Sequence, residues 1–206
     1  TSAGTGTGGT ADGGDYIGGT TSNLLGTATV YGAGGADTIY LGLSGLTAAS
    51  NRNIVDGGKG ADSINLSLEV VATALGRTTI SGGLGADSIQ VRAGSAHDLY
   101  VDGGAGHDLI SFSGATLWSG NVQQSIIGGA GNDTVRFGGS AGGQYVDLGL
   151  QADSFLQTAA TNNSTILGGA GADTIQFAST GGNAEVTNSI SGGAGNDSLV
   201  FQGVSG

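Results

Sequence analysis

Gly128-Gly129-Ala130-Gly131-Asn132-Asp133-Thr134-Val135-Arg136 is a glycine-dense turn, closed by an aspartate and followed at once by apolar alternation. The same Gly-Gly-x-Gly-x-Asp core is spelled by Gly57, Gly58, Gly60 and Asp62, and by Gly82, Gly83, Gly85 and Asp87. It returns as Gly103, Gly104, Gly106 and Asp108, as Gly168, Gly169, Gly171 and Asp173, and as Gly192, Gly193, Gly195 and Asp197. Weaker copies end at Asp15, Asp37 and Asp153, and successive aspartates lie 22, 25, 25, 21, 25, 20, 20 and 24 residues apart. A fixed period of this size is the mark of a solenoid, in which one supersecondary unit is stacked on the next.

The apolar residues keep the same period. Two residues after the aspartates stand Ile17, Ile39, Ile64, Ile89, Ile110, Val135, Phe155, Ile175 and Leu199. Four residues after them stand Leu41, Leu66, Val91, Phe112, Phe137, Phe177 and Phe201, the ladder failing at Gly19 and Gln157. Seven residues before them stand Val30, Val55, Ile80, Val101, Ile126, Val146, Ile166 and Ile190. Alternation of β-branched and aromatic residues on both sides of the turn predicts two strands per repeat. Strand, turn and strand never change length, whereas tracts such as 44–53 and 114–124 vary and read as loops.

These patterns predict an all-β fold: a parallel β-roll or β-helix solenoid of about nine coils, with two parallel sheets and a thin apolar interior. The preferred hand of parallel crossovers makes it right-handed, and a spacing of about 4.8 Å per strand makes it about 40 Å long. Residues 1–206 are expected to form one solenoid domain, with 1–10 as a low-complexity Gly/Thr lead-in.

Composition closes off other readings. The chain has 45 glycines in 206 residues, about three times ordinary usage, and no Pro, Cys or Met. Without a Gly-X-Y period it is not collagen, and without cysteine it has neither disulfides nor a thiolate site. No run approaches the ~18 apolar residues of a membrane-spanning helix. Sixteen acids against five Lys and Arg give a formal charge of −11, which repels nucleic acid and favours a cation. The chain opens on Thr1 rather than Met, and reads as a processed or excised piece of a longer product.

Stacking places the aspartates in a column. Neighbouring carboxylates about 5 Å apart would repel by about 3 kcal/mol each at an effective dielectric near 20. A divalent cation between successive turns converts that repulsion into attraction. Calcium suits the site, because it takes six to eight oxygens from carboxylates and backbone carbonyls in irregular geometry. The opposing reading is an Asp/Gly turn that caps itself by Asx hydrogen bonds without metal. Nine such aspartates in register favour the ion.

The nonapeptide Gly-Gly-x-Gly-x-Asp-x-apolar-x resembles that of the repeats-in-toxin, or haemolysin-type calcium-binding, proteins. The resemblance implies a parallel β-roll whose calcium ions are held by stacked aspartates and glycine-turn carbonyls, and secretion into a calcium-rich medium. It also implies Asp37 and Asp153 as ligands, beside the glycines and aspartates of the six intact copies. Familiar rolls carry the motif on both sides of the coil, whereas here it occurs once per 20 to 25 residues. A single column of up to about eight ions is therefore expected. The turns ending at Asp15 and Asp153 are the weakest, since Leu148, Leu150 and Gln151 replace the first, third and fourth residues in the latter.

Other features read as structural. His97 and His107 each precede an aspartate without a nucleophile nearby, and are expected to be solvated turn residues. Gly4 to Gly9 fits a dinucleotide glycine pattern only formally, and Gly57-Gly58-Lys59-Gly60 lacks the ending of a phosphate loop. Trp118 reads as a loop anchor, and Asp56, Asp102 and Asp147 as solvated residues beside the turns. No catalytic constellation is present, so the chain is expected not to be an enzyme. The function expected is a calcium-dependent structural or assembly module of the surface-layer, filament or adhesin type, outside a bacterial cell. It would bind calcium and form homo-oligomers by end-to-end or lateral assembly, because neither end reads as a polar cap. The alternative is the accessory roll of a secreted enzyme or toxin.

Overall fold

The computed structural model describes residues 13–18, 29–44, 52–69, 77–93, 98–114, 124–139, 141–159, 161–178 and 188–202. His97, Trp118 and the Gly4 to Gly9 tract lie outside them. Each turn separates two strands that belong to different parallel sheets. The post-turn sheet has nine strands in chain order: Tyr16–Gly18, Thr38–Ser44, Ser63–Glu69, Ser88–Ala93, Leu109–Ser113, Thr134–Phe137, Ser154–Gln157, Thr174–Ala178 and Ser198–Gln202. The pre-turn sheet has eight: Thr29–Tyr31, Arg52–Lys59, Arg77–Leu84, Asp98–Ala105, Gln124–Ala130, Gln144–Leu150, Thr165–Leu167 and Ser189–Ser191. The chain is therefore an all-β parallel solenoid that advances one strand per sheet with each repeat.

Register follows the aspartate clock. Ile39 pairs with Ile64, Ile64 with Ile89 and Ile89 with Ile110, and on the facing sheet Val55 pairs with Ile80 and Ile80 with Val101. Like residues thus stack on like. The three apolar ladders form one buried cluster from Val30 to Phe177. Phe112 and Phe137 stack at 4.6 Å, and Phe155 continues the aromatic file towards Phe177. Such stacking adds to the gain from burial alone.

The structure departs from the sequence reading in three places. The interior is not wholly apolar: nine residues before the aspartates a polar ladder of Asn53, Thr78, Gln124, Gln144 and Ser164 is buried, broken by Leu99. It is stitched between coils, Asn53 Nδ2 donating to Thr78 Oγ1 (3.3 Å) and Ser164 Oγ to Gln144 Oε1 (2.6 Å). Gln157, where the Phe ladder fails, is also buried and donates to the Gly139 carbonyl at 3.0 Å. Second, the loops are shorter than read. Strands run to Ser44 and restart at Arg52, and Gln124 opens a strand. Third, Leu199 and Phe201 at the last described strand are exposed rather than core, with 44% and 55% of their surface open.

Phe137→Ala is expected to cost about 3–5 kcal/mol, as for other buried aromatics. Tyr40→Ala, on the outer face, is expected to cost about 0.5 kcal/mol or less. Urea unfolding in millimolar calcium measures both.

Candidate metal centre

The turn needs its glycines for two separate reasons. At the second position the backbone is left-handed, with φ of 101° at Gly104 and 113° at Gly129. At the first position the need is for space. A Cβ on Gly57 would lie 2.5 Å from Oδ2 of Asp62 and 2.6 Å from the carbonyl oxygen of Gly82 in the next coil. On Gly103 it would lie 2.7 Å from Oδ2 of Asp108 and 2.5 Å from the Gly128 carbonyl. Gly82, Gly128 and Gly168 face their own aspartate and the next coil's carbonyl in the same way. Each first glycine thus leaves open a small cradle on which a carboxylate and a main-chain oxygen converge. The strand ladder steps over it, pairing Asp56 with Ser81 and then Gly58 with Gly83. Fourth-position glycines pack against the preceding coil: Gly60 and Gly85 have no room for a side chain beside the carbonyls of Gly35 and Gly60.

The aspartates form the expected column, and they are not splayed into solvent. Asp37, Asp62, Asp87, Asp108, Asp133, Asp153 and Asp173 are all buried. Each reaches back one coil: Oδ1 of Asp62 accepts the N–H of Asp37 at 2.8 Å, and Oδ1 of Asp133 accepts that of Asp108 at 2.9 Å. The pattern runs from Asp15 to Asp197. These bonds join neighbouring coils, where an Asx cap would close its own turn. The second oxygen has no such partner. Oδ2 of Asp15, Asp37, Asp62, Asp87, Asp108, Asp133, Asp153 and Asp173 is buried and makes no hydrogen bond. Asp197, in the last described turn, also aims Oδ2 towards its own Gly192.

A buried, unpartnered carboxylate oxygen is costly. Burial pushes the carboxyls of Asp62, Asp87, Asp133 and Asp173 above their ordinary range, although each accepts an N–H that works in the opposite direction. Burial likewise raises Asp108 to about 6 and Asp153 to about 7, and adjacent carboxylates add to both. The donor set is entirely oxygen, and one carboxylate oxygen with one carbonyl converges at each cradle. That is the chemistry of a hard cation such as calcium. Among the described residues no three His, Cys, Asp or Glu side chains gather at one point, so main-chain oxygens must complete any shell.

Further side chains link the turns beside the column. His107 accepts the Asn132 N–H on Nδ1 at 2.8 Å, and Asn132 Oδ1 accepts the Ala152 N–H at 3.1 Å, linking turns on their exposed side. Asp56, Asp102 and Asp147 are partly exposed, and Asp102 accepts a long bond from the Tyr100 hydroxyl at 3.5 Å. Sequence reasoning missed the inter-coil N–H to Oδ1 bond and the polar ladder. The nine-residue offset of the ladder was its only signal.

The model of the RTX calcium-binding nonapeptide repeat (4 copies) matches residues 26–43, 47–67, 74–95, 125–141, 159–177 and 187–201. These segments make up more than half of the chain, which belongs to the RTX calcium-binding nonapeptide repeat family. The turns ending at Asp15, Asp108 and Asp153 fall outside the matched segments, although that of Asp108 is intact. No curated protein and no solved structure matches the chain.

A pH dependence follows from the raised carboxyls. In the unfolded chain they titrate near 3.8 and in the ion-free fold higher, so the fold binds more protons than the unfolded chain. Their contribution is fully present below about pH 4 and is lost as pH rises through about 6 for Asp108 and about 7 for Asp153. In calcium-free buffer the thermal midpoint should therefore fall as pH rises from 4, until no folded state is left to melt at pH 7.5. Millimolar calcium should abolish the fall. Differential scanning calorimetry across this range reads both.

Proposed function

We propose that the chain is a calcium-dependent structural module working outside the cell, whose stack is completed by ions threaded between its turns. In this reading residues 1–206 form one domain of about nine right-handed coils, joined through a single column of calcium-binding glycine turns. The proposed ligands are Asp37, Asp62, Asp87, Asp108, Asp133, Asp173 and Asp197, with the main-chain oxygens of the glycine turns. Calcium, when bound, neutralises neighbouring carboxylates and ties successive coils together. The observation carrying this reading is the file of buried Oδ2 oxygens without hydrogen-bond partners, those of Asp37, Asp62, Asp87, Asp108, Asp133 and Asp173 each beside a first-glycine cradle. Membership of a calcium-binding repeat family supports it.

An assembly role of the surface-layer, filament or adhesin type goes with this reading. Each coil rests on its neighbours rather than on a core of its own, and the last described coil exposes Leu199 and Phe201 beside an edge strand. Continuation of the stack, by a second copy or by a further part of a longer chain, would cover that face. Among the described residues no helix is long and apolar enough to cross a membrane.

Far-ultraviolet circular dichroism and small-angle scattering test the calcium dependence. In excess chelator at pH 7.5 the chain is expected to be expanded and to gain β signal as calcium is added. Equal spectra and radii in both conditions would sink the reading. Asp133→Ala removes the carboxylate oxygen at the Gly128 cradle, and titration calorimetry should show about one ion fewer per chain. Electron microscopy with and without calcium should show concentration-dependent filaments or sheets only with the ion.

A further inference from the structure

We infer that the ion column is interrupted inside the molecule, because the Leu148 side chain occupies the cradle between the Asp153 and Asp173 turns and bars a cation from that gap. The inference rests on the calcium reading above and concerns which gaps fill. Pairing of Asp147 with Ile127 and Leu167, and of Gly149 with Gly129, sets Leu148 opposite Gly128 on one side and Gly168 on the other. It therefore holds the position that is glycine in every intact turn. At Gly57 that position lies within 2.6 Å of both converging oxygens, so an aliphatic side chain and an ion cannot share it. Leu148 is fully buried and belongs to the apolar core. Oδ2 of Asp153 remains buried without a partner.

The blockage is confined to one gap. Towards the preceding coil, Leu148 offers only its carbonyl, which faces Gly128, where a Cβ would still lie 3.0 Å from Oδ2 of Asp133. That cradle stays open. Nor does the stack break at the plug. The Gln151 N–H donates to the Ala170 carbonyl at 2.6 Å, and the Asp153 N–H to Oδ1 of Asp173 at 2.9 Å. Gln151 keeps the turn's shape by accepting a left-handed backbone, φ 81°, where intact turns have glycine. Apolar burial and main-chain bonds thus hold this junction. The column is divided into a long segment before Leu148 and a short one after it.

Crystals of the full chain grown with calcium and soaked in terbium locate the ions by anomalous scattering. Peaks are expected in the gaps beside Gly57, Gly82, Gly103, Gly128 and Gly168, and none in the gap beside Leu148. A peak there as strong as its neighbours would overturn the inference, whereas no peaks anywhere would overturn the calcium reading itself. Native mass spectrometry of Leu148→Gly in calcium should show one ion more than wild type. Leu148→Ala should show no gain, because its Cβ still fills the cradle. A folded Leu148→Gly chain with the wild-type count would count against the plug. The wild-type peak pattern decides the matter even if that variant does not fold.

Discussion

A half-satisfied carboxylate is the constraint on which this structure depends. Each inward aspartate gives one oxygen to the N–H of the preceding coil and holds the other in a dry cradle without a hydrogen bond. The bonded oxygen fixes the side chain's rotamer and pins neighbouring turns in register. The free one cannot relax into water, because the glycine turns close over it. Burial then favours the protonated form, while the surplus of acids over bases in the chain supplies few cations to compensate. A divalent cation in the cradle would supply the missing positive charge.

Around this column the rest of the coil divides its labour. The apolar ladders supply the burial that no repeat could obtain alone, and stacking of like upon like leaves the aromatic file from Phe112 to Phe177 in continuous contact. At the end of the interior away from the turn, the polar ladder satisfies part of its hydrogen bonding between coils. Variable-length connections leave from that polar end. Their differences in length are absorbed far from the turns, which explains why the span from strand to turn to strand is constant.

Most of the fold was legible in the sequence because its period is set by residues with few substitutes. Glycine is favoured at the left-handed second position and leaves the cradle open, exceptions being Ala33 at the former and Leu148 at the latter, and a short acid reaches the neighbouring N–H. The apolar offsets of two, four and seven residues from the aspartate translated directly into paired strands. Less legible was what the interior holds beyond those offsets. Asn53, Gln124 and Gln144 are polar by composition, and their burial follows from inter-coil partners that exist only after stacking. The turn at Asp153 shows the same limit. Its missing glycines marked a weak site, but only the register reveals where the leucine side chain goes.

The N–H to Oδ1 bonds all point the same way along the stack, each carboxylate reaching towards the coil before it. The rod is therefore a vector: one face offers carboxylate acceptors and the opposite face offers amide donors. Two such faces match only in tail-to-head order, since a head-to-head junction would set acceptor against acceptor. Any fibre built by prolonging this ladder would inherit its direction from a single two-atom contact inside each turn.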